Sequence, residues 1–253
     1  MSLLGVDVPP VSHVTIWGNG PLGLNKTVGI YLFATVATAL LFYFGTRKKD
    51  SLVPSGLLQN TAESSIGFVR NQIIMQTMGS DGLRYLPYLT ALFFFIFFSN
   101  ITEIIPFVQF PANARFAMPI ALALMVWVIF NVVGIAKQGP IHYLKNSRVP
   151  PGVPKAILPL VVIIEVVSVF LVRPFSLAVR LFANMLAGHL ILVTFSVLCA
   201  ALFAKSISIV ILPFSFALLV GLTGFEILVS FLQAFIFTIL AAVYIGSSMH
   251  PEH

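Results

Sequence analysis

Five ionisable side chains stand inside the two longest apolar stretches of this chain: Glu165, Arg173, Arg180, His189 and Glu226. A charge at mid-bilayer costs at least about 2.5 kcal/mol on insertion scales, so residues of this kind mark ion paths or partner contacts. Their types point to proton handling. Arginine stays charged at any physiological pH and cannot relay a proton by titrating. Histidine and glutamate exchange protons near neutrality once their surroundings shift them. A fixed cation with titratable groups beside it suits a gate that blocks leakage while its neighbours load and unload protons. The plainer reading, buried ion pairs that merely tie helices together, explains any one of these residues better than it explains the set.

Helical phase sorts them. Arg173 and Arg180 are seven residues apart and share a face, with Asn184 one turn further on. Ser176, Ala183 and Ala187 lie close to that face, and such small residues let another helix approach closely. This face is therefore expected to meet a protein partner rather than lipid. His189, nine residues beyond Arg180, projects about 180° away at ~100° per residue. In the last apolar stretch Glu226, Ser230 and Gln233 recur at steps of four and three, with Thr223 at the edge. That stripe reads as the wall of a narrow aqueous path; hydrogen bonding between helices is the alternative.

These residues must be positioned by membrane helices. Mean hydropathy is +1.02 and only 9% of residues are charged, whereas a soluble domain carries roughly 25%. The spacing predicts a first span over 27–45, an interfacial amphipathic helix over 56–82 and a transmembrane hairpin over 86–136. In the amphipathic segment Leu58, Ala62, Ile66, Val69 and Ile73 form one stripe, and packing on partner subunits is the alternative to lying in the interface. From Lys155 to Lys205 the chain stays apolar for fifty steps, roughly 75 Å as helix, against a hydrocarbon core of about 30 Å. A second stretch, Ser206 to Ser247, is also too long for one upright span. Little turn chemistry interrupts either, so 155–249 is expected to be a hairpin of two long, tilted helices; Arg173-Pro174 is the best available break or kink. The fold class is an all-α integral membrane protein with about five membrane helices.

With the N-terminus outside, nine cations fall on the inner side: Arg47, Lys48, Lys49, Arg70, Arg84, Lys137, Lys145, Arg148 and Lys155. Lys26, Arg115 and Lys205 fall on the outer side, which satisfies the positive-inside rule and places the C-terminus in the cytoplasm. The net charge of +6 is spread over these short gaps with no basic run interleaved with aromatics, so nucleic acid is not an expected partner. The single Cys199 lies in an apolar run and reads as a packed thiol. The first apolar run, followed by Arg47, Lys48 and Lys49, reads as a retained span rather than a signal peptide.

At 180–190 the chain reads RLFANMLAGHL and at 232–240 LQAFIFTIL, with PPGVP at 150–154, RPFSLAVRLF at 173–182 and a tail ending in Glu252 and His253. Together these blocks closely resemble subunit a of the F-type ATP synthase, the stator half of its rotary proton motor. The resemblance covers nearly the whole chain and is strongest from Pro150 onward. It implies a non-catalytic, cofactor-free, proton-translocating subunit of a bacterial plasma (inner) membrane, or less readily a mitochondrial inner membrane. Its implied partners are the c-subunit ring, the peripheral-stalk b subunits, other ATP synthase subunits, membrane lipid and protons. Arg180 resembles the family's essential arginine, which attracts each rotor carboxylate and keeps two offset half-channels from short-circuiting. Asn184, His189, Glu226 and Gln233 match positions lining or flanking the outer half-channel; Ser230 joins the proton-translocation set through its place in the stripe with Glu226 and Gln233. Some bacterial members carry the acid and the histidine in the opposite order. Glu165 and Arg173 belong to the inner side. The family's acid before the RP segment often lies one residue nearer the arginine; here it is nine before Pro174, which turns it about 100° on an unbroken helix.

A reading from another class is a secondary transporter with Arg180 binding an anionic substrate. No convincing repeat relates the two halves of the sequence, as such transporters often show. No GxxxxGK[ST], HExxH or GxSxG occurs, so neither nucleotide chemistry nor a membrane enzyme is expected of this chain.

Overall fold

The computed structural model describes residues 2–3, 6–7, 26–46, 56–105, 108, 110–139, 157–204 and 212–249. The predicted loop carrying His142, Lys145, Arg148 and Lys155, the cations at 47–49, Lys205 and the C-terminal tail lie outside these residues. Apart from a two-residue antiparallel pairing of Ser2–Leu3 with Val6–Asp7, the described elements are helical. They are α1 (Lys26–Thr46), α2 (Leu57–Phe68), α3 (Leu86–Ile101), α4 (Ala117–Gln138), α5 (Leu158–Val167), α6 (Arg173–Ala204) and α7 (Leu212–Met249).

Among the described residues, five runs are long and apolar enough to cross a membrane: Lys26–Thr46, Gly79–Ile101, Ala117–Gln138, Leu158–Leu202 and Leu212–Met249. In lipid every backbone polar group needs an internal partner, which is why the chain resolves into unbroken helices. Pro87 and Pro159 sit in the first turns of α3 and α5, where a missing N–H costs nothing. Gly139 closes α4 at φ 79° and Gly79 ends the preceding helical run at φ 62°, both in the left-handed region that favours glycine.

The long stretch after Lys155 is one helical rod rather than two short spans: α5 passes into α6 through a π turn, Ser168–Val172. Arg173-Pro174 therefore breaks nothing. Another π turn, Val69–Ile74, follows α2 directly. In the predicted amphipathic stripe Ala62, Val69 and Ile73 are buried and Ile66 is half-buried, whereas Leu58 at its start stays exposed. Its inner side packs on the chain's own helices, beneath a ceiling of Phe68, Phe93, Phe231 and Phe235 rings.

Between α3, α4, α6 and α7 lies the main core, with Leu89, Phe93, Ile96, Val126, Phe130, Leu177, Leu181, Phe237 and Ile245 buried. Ala234, Ala241 and Ala242 of α7 are also fully buried, and small side chains of this kind let membrane helices close up where apolar area gives no advantage over lipid.

Candidate functional site

Arg173 of α6 lies over the Tyr244 ring of α7, 5.4 Å from its centroid, while Gly188 lies against Glu226. Numbers rising along α6 thus meet numbers falling along α7. The two helices form an antiparallel hairpin, and the charged residues of the sequence analysis are distributed along its seam.

The two sides of α6 differ as helical phase requires. Ser176, Arg180, Ala183 and Ala187 are exposed and Asn184 is half-buried. Arg180 makes no hydrogen bond or ion pair among the described residues, so its guanidinium is available on an open face of small side chains. On the opposite side His189 is only 7% exposed. The stripe on α7 also points inward: Glu226, Ser230 and Gln233 are all buried.

His189 meets an acid that sequence reasoning passed over. Its Nδ1 stands 3.3 Å from Oε1 of Glu103, which lies just beyond α3 and is 2% exposed. Glu103 carries the same signal that singled out the other charges, an acid in an apolar run, but it falls at the end of the first helix of the predicted hairpin rather than in the long stretches. Glu103 and His189 line a cavity of about 250 Å³ that continues past Ser196 to Thr223. A smaller cavity of about 140 Å³, lined by Asn184, Gly188 and Glu226, lies beside it, and Leu192 borders both. Gly188 is what admits Glu226: a Cβ there would meet the carboxylate, with Cδ and Oε2 at 2.7 Å.

Polar atoms along this seam are buried without a hydrogen bond among the described residues: both Glu103 carboxylate oxygens, His189 Nε2, Ser230 Oγ and Gln233 Nε2. Buried polar groups in proteins pair with protein or ordered water. Of these, Glu103 and His189 line the larger cavity, and buried groups with spare donors and acceptors beside such a space suit water and proton transfer.

Beyond Glu103 the polar region continues toward α1. Asn113 donates from Nδ2 to Ser99 Oγ at 3.0 Å and Asn100 Oδ1 at 2.6 Å. The Tyr31 hydroxyl donates to Asn113 Oδ1 at 3.1 Å and to the Ala112 carbonyl at 2.9 Å. This knot ties the α3–α4 connection to α1 and holds the backbone around Glu103.

At the other end of the hairpin Glu165 and Arg173 pair, Oε1 to Nη2, at 3.4 Å. The expected 100° offset of Glu165 assumed an unbroken α-helix, and the π turn removes that assumption. The structure therefore brings the sequence candidates together in two groups: His189 with Glu226, joined by Glu103, and Glu165 with Arg173. Arg180 belongs to neither and has no partner among the described residues on the open face.

A family model described as ATP synthase A chain matches residues 28–246. Proteins named ATP synthase subunit a are similar along most of their length. The one from Frankia alni is 44% identical over 93% of this chain and 81% of its own. Its counterpart from Rhodopseudomonas palustris is 44% identical over 88% of this chain and 87% of its own. The Pseudarthrobacter chlorophenolicus protein is 36% identical over 98% of this chain and 93% of its own.

Proposed function

The chain belongs to the ATP synthase A chain family, and from that premise we propose that it is the proton-translocating stator subunit of an F-type ATP synthase in a bacterial inner membrane. In this reading it carries protons to and from the carboxylates of a c-subunit ring through two offset half-channels. ATP chemistry takes place on partner subunits, and peripheral-stalk b subunits hold the chain against rotation.

The observation that carries the reading is the division of α6. A permanent cation, Arg180, stands on an exposed face of small residues with no partner among the described residues, and the titratable group His189 is buried on the other side among Glu103 and Glu226. A rotor carboxylate passing the open face would meet Arg180 and lose its proton there, because an adjacent guanidinium favours the ionised form. The outer path would run from Glu103 and His189 to Glu226, with Asn184, Ser230 and Gln233 along it. The inner path would pass Glu165 and Arg173. Arg180 separates the two, since it cannot hand a proton on. With the N-terminus outside, α1 begins on the outer side, as do the polar knot at Asn113 and the entrance at Glu103.

The test is Arg180→Ala in the assembled complex, read as ATP-driven proton pumping in inverted membrane vesicles. Pumping is lost while the detached catalytic head still hydrolyses ATP. Coupled pumping at the wild-type rate would remove Arg180 from the gate and the reading with it. Copurification with a ring of small two-helix subunits separates this stator from a transporter that works alone.

A further inference from the structure

Glu165 and Arg173 are eight residues apart, yet they pair at 3.4 Å. On an unbroken α-helix at ~100° per residue, the second side chain would point about 80° away from the first. Between them lies the π turn Ser168–Val172. A π turn takes one more residue than an α turn of the same sweep, and five residues at roughly 82° each bring the pair back to within about 10°. Because α6 is regular from Arg173 onward, the seven-residue step to Arg180 keeps all three on neighbouring lines of one rod.

The π turn and the proline that follows it together strand the Val169 carbonyl. The Arg173 N–H bonds to the Ser168 carbonyl five residues back. Next comes Pro174, which has no N–H to give. The Val169 carbonyl is thus without a donor from either residue. It receives one from another helix: Trp127 of α4 donates its indole Nε1–H to that oxygen at 3.2 Å. The Trp127 ring also stands edge-on to Phe170 inside the same turn, centroids 5.8 Å apart. An unmet carbonyl in a membrane interior is costly, so this hydrogen bond favours the register that leaves the Val169 carbonyl free.

We infer that the π turn is a register corrector for the inner proton path, and that Trp127 is the positioning residue that holds it by satisfying the Val169 carbonyl. Tyr244, whose ring lies under the Arg173 guanidinium and against Phe130, steadies the same pair from α7. The inference rests on the stator reading, since it gives Glu165 and Arg173 a task only if protons leave past them.

The test uses the assembled complex in inverted vesicles and three variants. Trp127→Phe keeps the ring and loses the donor; ATP-driven pumping falls several-fold while ATP hydrolysis by the detached head is unchanged. Deleting Leu171, an exposed residue of the π turn, leaves a seven-residue spacing that suits a plain α-helix, so the deletion combined with Trp127→Phe recovers pumping. A merely structural role for Trp127 would not be rescued by shortening a different helix by one residue. Wild-type pumping in Trp127→Phe overturns the inference, and so does a deletion variant that fails to assemble or to pump. Arg180→Ala runs beside them: if it still pumps, the stator reading fails first; if it does not, the Trp127 outcomes bear on the register alone.

Discussion

The carboxylate of Glu226 fills the space that Gly188 leaves beside it, with its Oε2 2.7 Å from where a Cβ at 188 would be. One missing methyl group sets how far α7's buried acid can reach toward α6. Because Gly188 precedes His189 in the chain, the same backbone that makes room for the acid also carries the imidazole.

Gly188→Ala is therefore expected to push the Glu226 side chain aside and slow ATP-driven proton pumping several-fold. Alanine favours helix over glycine by up to about 1 kcal/mol, so the helix itself does not suffer. Gly29→Ala, where a Cβ meets nothing within 4 Å, should pump like wild type. Adding Glu226→Asp to Gly188→Ala, which shortens the acid, should recover part of the loss. Equal rates for the two single glycine variants would show that the contact does not matter.

Glu103 and His189 act as one unit if their 3.3 Å approach carries protons. Glu103→Gln and His189→Asn should each slow proton flux without changing ATP hydrolysis by the detached head. The double variant should be no slower than the worse single one, because residues in contact couple non-additively. Losses that multiply independently in a vesicle flux assay would separate the two residues.

Arg180→Lys should not restore coupled pumping. Lysine is a compact point charge that loses its proton readily on burial, whereas the guanidinium stays charged and presents a planar fork of donors. Vesicles with Arg180→Lys are expected to resemble Arg180→Ala in a proton-pumping assay. Wild-type pumping from the lysine variant would mean that any cation suffices.

Asn113→Ala removes the centre of the knot that joins Tyr31, Ser99 and Asn100. Leaving a buried partner unmet costs about 1–3 kcal/mol. The purified complex should lose this subunit at a lower temperature in detergent, measured by thermal aggregation. No shift would show that the remaining groups find new partners.

Much of the arrangement is legible in the sequence. The apolar runs, the unbroken length after Lys155 and the opposite faces of Arg180 and His189 follow from hydropathy and a period of 3.6, since lipid forces backbone hydrogen bonds to be satisfied within each segment. The inward stripe of Glu226, Ser230 and Gln233 followed from the same periodicity. The offset read for Glu165 held for an unbroken helix, and the π turn Ser168–Val172 does not keep one constant turn per residue.

What sequence alone determined about this protein is its solvent, its long helices and which faces of them carry charge. Those are properties of single helices, and a periodic local rule reads them. Tertiary structure decided which faces meet. Glu103 reaches His189 from the end of a helix some 86 residues earlier, Gly188 makes room for Glu226, and the Trp127 indole sustains a turn on another helix through the Val169 carbonyl. Each is a contact between segments distant in the chain, so its partners are set by how the helices pack. No local period encodes that.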